Sequence, residues 1–337
     1  MQASGVHYGS DSSGLVWGYL FGPDGAAALD APQAAAWLRD PQRRADQFIW
    51  LHFNLSNAAS EKWLGAHTRL ADEFYASLHQ GSRSTRIEMA NDTLIAVVND
   101  VLHDFSFDAA DIATLWLTLA PQLVISARRA PLRSIERLHQ AVHEGAAVDS
   151  PVALLVHLLR DQADVLVRIV RDSVARVDAI EDALLAGRLR HKREDLGTLR
   201  RVLVRLQRLL APEPAALFRL LQRPPLWIAA RDIEELRQSS EEFSVVLNDM
   251  AGLQERIKLL QEEIAARVNE ANGRTLFVLT IVTVLALPIN MIAGLLGMNV
   301  GGLPLAQDPH GFWIVVGAVL AITGLAGALV FKLRYDA

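Results

Sequence analysis

Two long uncharged runs near the end of the chain constrain its fold more than any other feature. Residues 275–297 read TLFVLTIVTVLALPINMIAGLLG and residues 311–331 read GFWIVVGAVLAITGLAGALVF, and neither contains an ionisable side chain. About 20 helical residues cross about 30 Å of hydrocarbon, so each run is long enough to span a bilayer. Two buried core helices would have the same length. Adjacent runs this long without one charge are nevertheless rare in water-soluble domains. The expectation is a two-helix transmembrane hairpin at the C-terminal end, and the mean hydropathy of +0.19 reflects it.

The linking residues 298–310, MNVGGLPLAQDPH, hold no Lys or Arg. Arg256, Lys258, Arg267 and Arg274 precede the first run, and Lys332 and Arg334 follow the second. Positive charge stays on the cytoplasmic side, which puts both termini in the cytoplasm, the short loop outside, and the chain in the inner (cytoplasmic) membrane, in contact with lipid. The polar start, MQASGVHYGSDSSG, lacks the basic and apolar regions of a cleaved leader.

Several function classes fall away. Net charge is −5 and no nucleic-acid-binding motif is present, so no nucleic-acid partner is expected. The chain has no cysteine, which removes disulfides, thiolate catalysis and Cys-based zinc sites. There is no phosphate loop, nucleophile–base motif or metalloprotease helix, so neither an enzyme nor a resident cofactor is expected.

The rest of the chain reads as an α+β cytoplasmic part leading into a stalk. Residues 1–130 form a mixed α/β domain, with strand-forming runs at 15–21, 48–55, 93–98, 114–119 and 122–126 and helical spacing over 58–79. Residues 131–228 read as a helical region, broken at Pro212, Pro214 and Pro224-Pro225. Its basic stretch, 196–210, reads as a solvated face. Residues 229–274 form a stalk helix, in which Leu236, Phe243, Met250, Ile257, Ile264 and Ala271 recur every seventh position. That stripe must pack against other subunits or against the preceding helices. The first span occupies 275–297, the outer loop 298–310, the second span 311–331 and a basic tail 332–337.

Two spans cannot enclose a pore, so a pore requires several copies. At helical spacing one face of the first span carries Leu276, Thr280, Thr283, Leu287, Asn290 and Gly294. Thr280 and Thr283 either face a pore or bond back to their own helix. An amide such as Asn290 is costly in hydrocarbon and marks an interior or a watered path. Pro288 leaves the Val284 carbonyl without its helical donor. Gly317, Ala321, Gly324 and Ala328 suit the second span to close helix packing. Dehydrated Zn²⁺ seeks imidazole, thiolate or carboxylate, and Mg²⁺ sheds water reluctantly. Neither span offers those ligands, so a divalent cation passing here keeps most of its water. Candidate metal ligands lie outside the spans, at Asp308 and His310 near the outer loop, which are also titratable, and at the i, i+4 pair His139 and His143, a spacing that can bind a metal on one helical face. His52, alternating with apolar neighbours, reads as structural.

Gly297-Met298-Asn299, at the outer end of the first of two C-terminal spans, resembles the signature of the CorA superfamily of divalent-cation transporters, and the layout of the whole chain is similar. Val300-Gly301-Gly302-Leu303-Pro304 and Trp50-Leu51-His52-Phe53-Asn54 resemble the ZntB zinc-transporter branch. Magnesium-type members often carry a tyrosine before the motif and an acidic loop, where this chain has Leu296 and an almost uncharged loop. The resemblance implies a homopentamer that moves Zn²⁺, or alternatively Mg²⁺, Co²⁺ or Ni²⁺, with Asn299 ringing the outer pore mouth, Gly297 permitting the tight helix end and Met298 holding Asn299 in place. A membrane-anchored coiled-coil scaffold is the reading from a different class.

Overall fold

The computed structural model describes residues 9–79, 85–90, 92–186, 192–298 and 309–335. They divide into two compact units, Met1–Gln261 and Glu262–Ala337.

In the first unit one mixed sheet contains the strands β1 (Leu15–Gly22), β2 (Gly25–Ala28), β3 (Phe48–Asn54), β4 (Arg86–Ala90), β5 (Thr93–Val101), β6 (Ile112–Ala120) and β7 (Leu123–Arg128). Their order is β2-β1-β3-β7-β6-β5-β4, and β3 with β7 is the parallel pair among antiparallel neighbours. Both faces are covered, which explains why the strands read as almost unbroken apolar runs. Phe48 and Trp50 of β3, Leu94, Ala96 and Val98 of β5, and Leu115, Leu117 and Leu119 of β6 point to one core. The alternating residues Ile49, Leu51, Phe53, Ile95, Val97 and Trp116 point to the other. Helices α1 (Ala31–Arg39), α2 (Ala59–His67) and α3 (Asp72–His79) seal this second face through Ala34, Leu64 and Phe74. Helices α4 (Arg133–His143), α5 (Pro151–Leu185), α6 (Lys192–Leu210) and α7 (Pro212–Gln222) follow the sheet, and α4, α5 and α7 contribute Leu138, Leu155 and Leu217 to the first core.

Residues 58–79 do not form one helix. The chain leaves the helix at Thr68, whose backbone is extended, and both its N–H and its hydroxyl donate to the Leu64 carbonyl, at 2.9 and 2.6 Å. A threonine that caps the previous turn in this way competes with helix continuation. The short strands β2 and β4 carry no alternation strong enough to read from the sequence. The sequence of β2 is GAAA, all four residues exposed.

Helix α8 (Ala230–Leu296) begins in this unit. Leu236, Phe243, Met250 and Ile257 are buried, so the preceding helices of the same chain take up that part of the heptad stripe. Arg256 of α8 bonds Glu181 of α5 and approaches Asp178 at 2.7 Å, and Asp232 accepts from the Ser150 hydroxyl at 2.8 Å. Ala271 lies exposed.

The second unit holds the rest of α8 and α9 (Gly311–Tyr335). Helix α8 continues through Gly273 and contains Pro288. Both helices are long and apolar enough to cross a membrane. Their large apolar side chains, Leu279, Leu287, Trp313 and Leu325 among them, are exposed.

Candidate functional site

The polar face of α8 takes shape from helix geometry alone. At about 100° per residue, Leu276, Thr280, Thr283, Leu287, Asn290 and Gly294 fall within an arc of about 80°. All six are exposed. The two threonine hydroxyls donate to carbonyls one turn back, Thr280 to Leu276 and Thr283 to Leu279, each at 2.9 Å. These back-bonds leave the oxygen lone pairs open, so they do not by themselves exclude a face toward a pore. No partner for the Asn290 amide is recorded among the described residues.

At its outer end α8 closes with the Gly297 N–H donating to the Ala293 carbonyl at 2.9 Å. A Cβ at this position would stand 2.9 Å from that same oxygen, so a side chain would force the turn open. Met298 is exposed. Asn299 and Asp308 lie outside the described residues. His310 is exposed just before α9, where its carbonyl accepts from the Ile314 N–H at 3.2 Å. On α9, a Cβ added at Gly317 or Gly324 meets nothing within 4 Å among the described residues.

The histidines of the first unit divide into a core group and a surface. His52 is fully buried on β3. Arg128 Nε donates to its Nε2 at 2.9 Å, so Nδ1 carries the proton and faces Ser126 Oγ at 2.7 Å. Burial, reinforced by the Arg128 charge, pushes its pKa well below the usual imidazole range. Trp50 Nε1 donates to the same Ser126 oxygen at 2.8 Å, and Arg128 pairs with Glu136 at 3.0 Å. This is a structural network across β3, β7 and α4, as expected for His52. Its partners stand about 75 positions apart in the chain, and no local sequence signal gave them away. Trp17 lies between His52 and His139, its ring centroid 4.1 Å from each. His139 is held down to about 4 by burial, with the neighbouring His143 adding to the effect. The His139 and His143 rings are 6.3 Å apart, and no group of three or more His, Cys, Asp or Glu residues placed to hold a metal occurs among the described residues.

Besides Glu136, two buried carboxyls escaped the sequence reading. Asp100 accepts from the Ser134 N–H and hydroxyl at 2.7 and 2.9 Å, and burial pushes it up to about 6. Glu213, at the start of α7, is pushed up to about 8 by burial, with no cation among the causes. Its Oε2 lies 3.4 Å from Gln162 Nε2, while its Oε1 has no hydrogen-bond partner among the described residues.

With this geometry in place, comparison with known proteins gives a consistent result. The family model described as CorA-like Mg2+ transporter protein matches residues 45–332. The chain belongs to that CorA-like family. Among its relatives is the divalent cation transporter CmaX of Pseudomonas aeruginosa, 29% identical over 323 residues that cover 94% of each chain. The zinc transport protein ZntB of Pectobacterium carotovorum is 23% identical over 264 residues, 78% of this chain and 80% of that one. The solved structure of full-length CmaX superposes with a TM-score of 0.79 at 24% identity, covering 95% of this chain and 99% of that one. The CorA-like fold thus extends over the sheet, the long helix and the C-terminal helix together.

Proposed function

We propose that this chain transports divalent metal cations across the inner membrane as a homopentamer, each copy giving one α8 helix to a central pore. The observation that carries this reading is the face of α8 from Leu276 to Gly294, which holds hydroxyl and amide oxygens and no ionisable group. Membership of the CorA-like family and the names of the relatives support it. Gly297, Met298 and Asn299 form the outer filter, with the Asn299 amide meeting the ion through its water. The pore recognises a hydration shell and has nothing to replace it, so the ion crosses largely hydrated. Both termini lie in the cytoplasm, with residues 275–297 and 311–331 in the bilayer and 298–310 outside it.

Zn²⁺ is the preferred cargo, on the uncharged outer loop and the ZntB-like Val300–Pro304 and Trp50–Asn54 stretches. A second reading, a broad Mg²⁺/Co²⁺/Ni²⁺ channel, is favoured by the family description and by the higher identity to CmaX. Flux of Zn²⁺, Mg²⁺, Co²⁺ and Ni²⁺ into vesicles holding the purified protein, with and without a pH gradient, decides between them. Faster Zn²⁺ flux supports the first reading and faster Mg²⁺ flux the second. Absence of all flux leaves the membrane-anchored scaffold.

A further inference from the structure

The loop between β5 and β6 holds one residue in a conformation that its side chain resists. Phe107 has a φ of 63°, in the left-handed region that bulky residues rarely enter. A glycine would adopt it without strain, so the phenylalanine sits there at a conformational cost. The loop around it is fixed. Asp111 Oδ2 accepts from the Ser106 N–H at 2.8 Å and from the Ser106 hydroxyl at 2.7 Å, and the Asp111 N–H donates to the Asp108 carbonyl at 3.1 Å. The Phe107 ring stands beside α5 and α6, with the Arg176 guanidinium of α5 3.8 Å from its centroid.

Two clefts open where this ring meets the helices. Their volumes are about 320 and 370 Å³, and Phe107 and Thr198 line both. Asp108 and Arg201 border the first, Arg176 and Asp195 the second. Arg201 Nη2 donates to the Thr198 hydroxyl oxygen at 3.0 Å, which leaves the hydroxyl proton for a ligand. Arg201, Arg205 and Arg208 continue along α6 within an arc of about 60°, and all three are exposed. Neither these three nor Arg176 forms an ion pair among the described residues. A merely solvated basic face would need neither the clefts nor the strained ring at its end.

We propose that the clefts around Phe107 bind a nucleoside polyphosphate. The base stacks against the Phe107 ring. Arg176, Arg201 and the Thr198 hydroxyl donate to phosphate oxygens, and Arg205 and Arg208 extend the track for the terminal phosphates. Asp108 and Asp195 accept from the ribose hydroxyls or from an amino group of the base. A ligand that was only an anion would meet those two carboxylates with nothing to offer them, whereas a nucleotide carries the donors. The site lies wholly in the first unit and does not rest on α8 being a pore helix.

The full-length protein in detergent is titrated calorimetrically with ATP, AMP, adenosine and inorganic tripolyphosphate at constant ionic strength. ATP is expected to bind more tightly than any of the other three. Arg176→Gln and Arg201→Gln should each weaken ATP on the order of tenfold or more. Phe107→Gly keeps the loop backbone without strain and removes the ring, so it should weaken ATP about tenfold and leave tripolyphosphate unchanged. Arg171→Gln removes an exposed α5 arginine that borders neither cleft, and it should bind ATP as the parent does. Tripolyphosphate binding as tightly as ATP, or equal losses at Arg171 and Arg201, overturns the nucleotide site in favour of a general attraction of anions. No ATP binding up to millimolar concentration overturns it outright. If Phe107→Gly does not fold, the comparison of ATP with tripolyphosphate and of Arg201→Gln with Arg171→Gln decides alone.

Discussion

The sheet unit and the C-terminal helices meet their physical demands in opposite ways. In the first, the large apolar side chains of both sheet faces are buried by the chain itself, and deep polar groups such as His52 and Arg128 find partners within it. In the second, Leu276, Leu287, Trp313 and Leu325 stand exposed, as does the Asn290 amide. A monomer can fold the first region to completion. On the proposed reading, the second is complete only with lipid on its apolar sides and further copies on its polar one. Stability belongs to the individual chain, whereas the proposed transport belongs to the assembly.

Removing residues 262–337 is the bluntest way to sharpen that contrast. The fragment 1–261 should stay in solution without detergent while the full chain requires it, as sedimentation in detergent-free buffer will read. Aggregation of the fragment would break the contrast, since it would mean that the first unit also depends on the second. Next in size is Arg128→Ala. It leaves Glu136 as a buried charge without its partner and His52 Nε2 without a donor, for a loss of about 3–5 kcal/mol in denaturant unfolding followed by tryptophan fluorescence. The proposed ion flux per folded protein should not change.

Asn290→Leu is the mirror experiment. It removes an amide from the proposed path, so flux should fall by about an order of magnitude or more while the unfolding midpoint of the first unit stays put. A fourth test, confined to one pH range, is at Glu213. Its carboxyl is raised to about 8 in the fold against about 4.5 in the open chain, so the folded state retains a proton that the unfolded state loses. Between those values stability falls as pH rises, with the full contribution present below about pH 4.5. Glu213→Gln should therefore match the parent near pH 4.5 and melt above it by pH 8, a margin that thermal scans across this range will read. Parallel melting curves at every pH would remove the buried proton.

The same contrast decides what could be read from the sequence. The apolar strand runs, the heptad positions Leu236 to Ile257 and the two spans were legible because each is a local pattern repeated at the period of its element. Strand β2 was not, since four exposed residues, GAAA, carry no period. The Trp50–Ser126–His52–Arg128–Glu136 network was hidden because its members meet only after β3 and β7 pair in parallel. Glu213, which follows Pro212 at a predicted break, reads as a surface residue until α7 folds it inward. On α8 the shared arc from Leu276 to Gly294 follows from helical spacing, and the structure added where the threonine protons go.

That last detail has a consequence for the sign of the ion. Water around a cation turns its hydrogens outward, while water around an anion turns its oxygens outward. Thr280 and Thr283, whose hydroxyl protons are already spent on the Leu276 and Leu279 carbonyls, offer acceptors and withhold donors. On the proposed pore wall, these two positions would hold the dressed cation and give the dressed anion nothing. An uncharged surface can in this way discriminate polarity by the direction of its hydrogen bonds, at any ionic strength, where a ring of charge would be screened.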